Sequence, residues 1–199
     1  MNDPRSIATG IIRAEHRALA AVINNIKSIV TEIRDGRMSA DFRLLWSMIY
    51  YIDAFPERLH HPKEDAWLFA RIQERTRAAD SLIETLLQQH SAGEAELDLL
   101  RKALGNYEAG VAGALEALDL TVQRYAEFTW KHMAMEEREL LPIGEDCLTE
   151  DDWADIAHAF QENCDPLAGK QEGAHFLTLF RHIVERTPAP MGLGTRQAP

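Results

Sequence analysis

The chain is short of several things, and each shortage removes a class of protein. Cysteine occurs only twice in 199 residues, at Cys147 and Cys164. The two are too far apart for a C-x-x-C redox or zinc motif, so both read as inert thiols. No run of about 18 apolar residues exists, which excludes a membrane-spanning helix. The opening MNDPRSIATG lacks the basic and apolar regions of a secretory signal, so a cytoplasmic protein is expected. Basic residues are outnumbered, 21 Lys and Arg against 32 Asp and Glu, for a formal net charge of −11. Clustered cations able to replace counterions on a phosphate backbone are missing, and no nucleic-acid partner is expected. Two-residue alternation is absent as well, which removes half-buried strands.

What is there is helical periodicity, in a chain 46% hydrophobic and so able to bury one sizeable core. A first helix is expected over about 5–34, with Ile12, Leu19, Ile23, Ile26 and Val30 as its stripe and Gly36 as its stop. A second runs from about Ser39 to Thr76 through Phe42, Leu45, Ile49 and Ile52. Pro56 and Pro62 each remove an amide donor, so a kink or bulge is expected between them. A third spans about 79–107, with Ile83, Leu86, Leu97 and Leu104 on one face. After Gly110 and Gly113 a fourth continues through Leu118, Tyr125 and Phe128 to about Leu141, where Pro142 and Gly144 should end it. Four long helices with short connections give an all-α fold, an antiparallel up-down-up-down four-helix bundle over residues 1–145. The remainder, 146–199, reads as a C-terminal extension. It holds a short helix capped by Thr149, the "DPLAGK" turn, a second short helix over about 172–186, and a Pro- and Gly-rich tail. This extension leaves room for a homodimer.

Three of the long helices carry the same spaced pair: His60-x-x-x-Glu64, His90-x-x-x-Glu94 and His132-x-x-x-Glu136. The first helix adds His16, with Ala20 where a fourth carboxylate would stand. At about 100° per residue, positions i and i+4 lie one turn apart on nearly one face, so a His and a Glu can reach a common point. His132 and Glu136 follow the Leu118–Tyr125 face inward, whereas Glu137 lies about 100° further round. Ile83, Leu86 and Leu97 bracket His90, with Glu94 at the stripe's edge. Phe42, Ile49 and Trp67 are nearly in line with His60. That leaves His61 as a lateral neighbour and reserve, because the prolines disturb the count. Any one inward histidine is ordinary, and a lone H-x-x-x-E is a common surface pair. Four inward histidines with three carboxylates, buried without a cation, would cost several kcal/mol each. Imidazole and carboxylate without thiolate suit iron, manganese or zinc, and seven side chains exceed what one tetrahedral zinc can use. Two metals are therefore expected, with a coordination position left open for a small diatomic. Tyr125, two turns before His132, could support a ligand or serve as a core aromatic. His158, His175 and His182 lack paired carboxylates and read as surface residues.

"RAEHRAL", "FPERLHHPKEDAWLF", "QQHSAGEAEL" and "KHMAMEERELLP" together resemble the bacterial hemerythrin-like (HHE cation-binding) domain, over about residues 5–145. The extension also looks like that of some bacterial members. The resemblance implies a non-haem di-iron centre, two Fe ions bridged by two carboxylates and an oxo or hydroxo group. In it His16, His60, His90 and His132 would be terminal ligands, and Glu64 and Glu136 the bridges. Glu94 departs from the pattern, since oxygen-carrying hemerythrins have a histidine there. A third carboxylate would favour ferric iron, and with it peroxide, nitric oxide or redox-sensing chemistry over simple oxygen carriage. The expected function is thus a di-iron protein that binds or senses O2, NO or peroxide. A ferritin-like oxidase or peroxidase would want two E-x-x-H motifs, and only Glu57-x-x-His60 is present. A metal-free helical interaction module is the third reading.

Overall fold

The computed structural model describes residues 3–162 and 187. Helices carry nearly all of them, and no strand occurs among the described residues. Helix α1 covers Pro4–Arg34, opening on a proline whose fixed φ suits a first turn and closing before Gly36 at φ 69°. The second stretch, residues 42–75, is not uniform. It begins as α2 (Phe42–Ile52), becomes π-helical over Asp53–His60, and returns to one α-turn, α3 (His61–Lys63). It is π-helical again over Glu64–Phe69 and ends as α4 (Ala70–Arg75). The distortion foreseen between Pro56 and Pro62 is a wide turn that contains Pro56 and ends at His60, and a second wide turn follows Pro62. Helix α5 is Asp80–Glu108. Gly110 and Gly113, both left-handed, turn the chain into α6 (Ala114–Met135).

The stop expected at Pro142 and Gly144 does not occur. A third π-helical segment, Glu136–Leu140, leads into α7, Leu141–Cys147. Pro142 lies at the start of α7, where hydrogen bonding is already changing and its lost amide costs little. Gly144 is buried instead of terminal, and a Cβ there would stand 3.3 Å from Ile72 Cδ1. Trp67, aligned with His60 by α-helical arithmetic, is 37% exposed. Leu68 and Phe69 are buried in its place, because a π-turn advances less per residue than about 100° and shifts the phase of all that follows.

The four long stretches form a ring of contacts: first with second, second with third, third with fourth, and fourth with first. Their apolar stripes meet in two clusters. One joins Leu19 to Ile33 of α1 with α2 and the facing parts of α5 and α6. The other joins Ala8 and Ile12 with Leu68, Phe69, Ile72, Ile83, Leu86, Leu140 and Leu141. A polar layer separates them. In every stretch the inward histidine falls between a residue of one cluster and a residue of the other: His16 between Ile12 and Leu19, and His90 between Leu86 and Leu97.

Helix α8 (Glu150–Gln161) closes the second cluster with Trp153, Ile156, Ala157 and Phe160, and packs along α1. Thr149 caps it reciprocally with Asp152, as its sequence suggested. Asp152 also takes a forked ion pair from Arg75 at 2.8 and 2.9 Å. His158 is exposed. His175, His182, the helix expected over 172–186 and the tail lie outside the described residues. No helix among the described residues is long and apolar enough to cross a membrane.

Arg75 and the Thr149 hydroxyl and amide hold the Asp152 carboxyl well below the usual range. A depressed carboxyl contributes stability above its unfolded pKa of about 3.9 and loses it as pH falls. Asp152→Asn should therefore lower stability by about 1–2 kcal/mol at neutral pH. The deficit should shrink below about pH 4. Urea denaturation at both pH values, followed by circular dichroism, checks this.

Candidate metal centre

The polar layer brings together His16 from α1, His60, His61 and Glu64 from the second stretch, His90 from α5, and His132 and Glu136 from the fourth stretch. Two groups of possible metal ligands result, His16, His60, Glu64 and Glu136 on one side, and His61, Glu64, His90 and His132 on the other. The two carboxylates span both. Glu64 Oε1 lies 3.0 Å from His60 Nε2, while its Oε2 lies 3.6 Å from His90 Nε2. Glu136 Oε2 lies 3.2 Å from His16 Nε2, and its Oε1 lies 3.4 Å from His132 Nε2. Both glutamates are wholly buried. None of their four oxygens finds a partner in hydrogen-bond geometry.

Four of the rings turn Nε2 inward because Nδ1 is engaged behind them. A neutral imidazole that donates from Nδ1 presents only a lone pair at Nε2. His16 Nε2 nevertheless stands 3.0 Å from His60 Nε2, and His90 Nε2 stands 3.2 Å from His132 Nε2. Acceptors facing acceptors around orphaned carboxylate oxygens need cations between them, metal ions or protons. The donor set, imidazole and carboxylate without thiolate, fits iron, manganese or zinc.

Residues 8–143 match the family model described as the hemerythrin HHE cation binding domain. The chain belongs to that family. No curated protein and no solved structure matches it.

Two placements in this HHE domain differ from what spacing suggested. Glu94 is exposed and stands in neither group. The inward seam of α5 steps 3-4-3-4 through Ile83, Leu86, His90, Gly93, Leu97, Leu100 and Leu104, all but His90 counted as buried in that helix. Position 93 is on that seam, and position 94 is one residue off it. His61, set aside as lateral, is in the second group, stacked on His90 with ring centroids 4.2 Å apart. Adjacent residues both face the centre because the π-helical turn before them reduces the rotation per residue.

The outer partners were not foreseen, and they follow a rule. His60 Nδ1 donates to Glu15 at 2.7 Å, and His90 Nδ1 to Asp65 at 2.7 Å. His132 Nδ1 donates to Gln89 at 2.9 Å, and His16 Nδ1 to Glu137 at 2.9 Å. Each partner is the sequence neighbour of an inward ligand, yet it serves the ligand of the next stretch. Glu15 beside His16 serves the second stretch, and Asp65 beside Glu64 serves the third. Gln89 beside His90 serves the fourth, and Glu137 beside Glu136 returns to the first. Such contacts fix ring orientation and raise ligand basicity. The visible signal was a run of polar residues flanking each ligand. Tyr125 is buried and lines a small cavity with Glu57, His61, His90 and His132. Burial raises its hydroxyl's pKa, so it stays a neutral phenol.

The carboxylates of the layer favour protonation of three of the rings and not of the fourth. Burial alone would lower His60, but Glu64 and Glu15 outweigh it and raise it to about 9. Burial likewise opposes His90, which Asp65 and the two central glutamates raise to about 10. His16 is raised well above its ordinary value against the same penalty, by Glu136, Glu137 and Glu64. His132 goes the other way, since burial dominates and lowers it to about 4. The three raised imidazoles face five carboxylates, Glu64 and Glu136 between the rings and Glu15, Asp65 and Glu137 behind them. A metal must displace the imidazole protons, so uptake should strengthen as pH rises toward about 9–10 and weaken on acidification. Adding ferrous iron to metal-free protein at pH 7 in weak buffer should release protons. An affinity independent of pH between 6 and 9 would show the imidazoles already neutral.

Proposed function

We propose that the ring of four helical stretches is an antiparallel up-down-up-down bundle built around a non-haem di-iron centre that binds or senses O2, NO or peroxide. One observation carries the reading: the four buried, unpartnered oxygens of Glu64 and Glu136, divided between two sets of imidazoles. That division is what two bridging carboxylates require. His16 and His60 would hold one iron, and His61, His90 and His132 the other, with both glutamates shared. When bound, the irons would supply a redox-active pair able to take a small ligand at whichever coordination position the protein leaves open.

Counting donors favours the two-imidazole side for that position. It has four protein ligands, against five on the other side. Next to it lies a cavity of about 10 Å³, lined by Leu19, Phe55, Pro56 and Leu59 as well as by Glu15, His16 and His60. Its volume is at the lower limit for one water-sized guest. Apolar walls would exclude charged competitors, and the Glu15–His60 contact would hold the nearest ring still.

With His61 inside and Glu94 outside, the set has five imidazoles and two carboxylates. The ligand charge becomes −2 instead of −3, and the extra anion that would favour ferric iron is gone. Reversible oxygen binding, NO binding and peroxide chemistry then compete on equal terms. A ferritin-like oxidase is less favoured, because Glu57 of its single E-x-x-H faces His61 and lies outside both groups.

The test is iron content and visible spectrum of aerobically purified variants. The unmodified chain should carry two irons, with a charge-transfer band, and Glu94→Ala should match it. His61→Ala should lose one iron. Two irons in His61→Ala together with loss in Glu94→Ala would return the ligand to position 94. Colourless, metal-free protein after iron supplementation would favour an interaction module. Stopped-flow mixing of the reduced protein with oxygen would separate a lasting adduct from immediate oxidation.

A further inference from the structure

His61 is the one inward ring outside the cycle of cross-stretch partners. Its Nδ1 is buried and faces Glu57 Oε2 at 3.4 Å, one turn back on its own segment, without the alignment of a hydrogen bond. Glu57 is itself lodged in an unusual place. A Cβ built on Gly93 would stand 2.7 Å from Glu57 Oε2, 3.0 Å from Oε1 and 3.1 Å from Cδ. The carboxylate therefore lies flat against bare α5 backbone, at the seam position that follows His90. Glycine is the poorest ordinary residue for a helix interior, and here no turn or positive φ asks for it.

Resting on the di-iron reading, we infer that Gly93 and Glu57 form a seat that positions His61 as the third imidazole of the second metal. Gly93 supplies the space, Glu57 fills it, and the Glu57 carboxylate backs the His61 ring so that Nε2 faces inward. The seat explains why an inward imidazole can come from the second stretch in a chain whose position 94 faces solvent. Glu57 and Gly93 are positioning residues and touch no metal.

Gly93→Ala, Glu57→Ala, Glu57→Gln and the double alanine variant test this. Each is loaded anaerobically with ferrous iron and challenged with a chelator, and the release phases are timed. Helical content and melting temperature of the metal-free proteins are the controls. Gly93→Ala and Glu57→Ala should each accelerate one release phase by about 10–100-fold and leave the other alone. The double variant should be no worse than Glu57→Ala, because the added methyl then has nothing to strike. Glu57→Gln keeps an oxygen of the same reach and should recover most of the slow phase. Metal-free Gly93→Ala should melt no lower than the unmodified chain, since alanine favours the helix. If it does not fold, the two Glu57 variants decide alone. Unchanged release rates, or a Gly93→Ala effect that persists when Glu57 is absent, would overturn the seat. Fewer than two irons on the unmodified chain would overturn the di-iron reading before any variant is compared.

Discussion

Two buried carboxylates organise this molecule. Glu64 and Glu136 sit between the two apolar clusters with no donor in hydrogen-bond geometry, a placement costing several kcal/mol each unless cations arrive. The surrounding carboxylates raise the pKa of three imidazoles, so protons compete with a cation for the same place. A bound cation would meet the same need with fixed geometry. Metal binding would then add directly to bundle cohesion, as in other domains whose ligands have no alternative partner.

The outer contacts turn this centre into a joint between helices. Glu15, Asp65, Gln89 and Glu137 each orient a ring on the next stretch around the ring. Apart from His61, no inward imidazole depends only on its own helix for its direction. A displacement of α1 would disturb His16 directly and His60 through Glu15. The site is therefore expected to respond to helix movement as a unit, which suits a sensor as well as a carrier. Helix α8 adds a further tie, since Lys63 donates to Ala159 O at 2.6 Å and Phe160 meets the His60 ring edge-on.

The π-helical segments are where the backbone adapts to the chemistry. One ends at His60, the next begins at Glu64 so that the two flank His61, and a third begins at Glu136. Wide turns of this kind are rare and concentrate at functional sites. Here they let neighbouring histidines point the same way and let Pro56, Pro62 and Pro142 remain inside continuous helix.

Much was legible in the sequence because it depends on regular spacing. The helical class, the Gly36 stop, the Thr149 cap and the inward faces of His16, His60, His90 and His132 follow from residue type and a period of about 3.6. So does the cation-binding family, whose motifs stand one on each helix. What failed did so where the period failed. Trp67 is partly exposed, and His61 lies beside His90 and His132, because π-turns shift the phase. Glu94 is exposed because α5 follows a 3.5-residue seam on which position 93 faces in. The partners that aim each ring, and the division of four carboxylate oxygens between two imidazole sets, depend on distances between stretches far apart in the chain. By itself the sequence determined which residues could carry a metal. Only the tertiary structure decided which of them meet, because side chains on separate helices share a point in space through packing that no single-helix count contains.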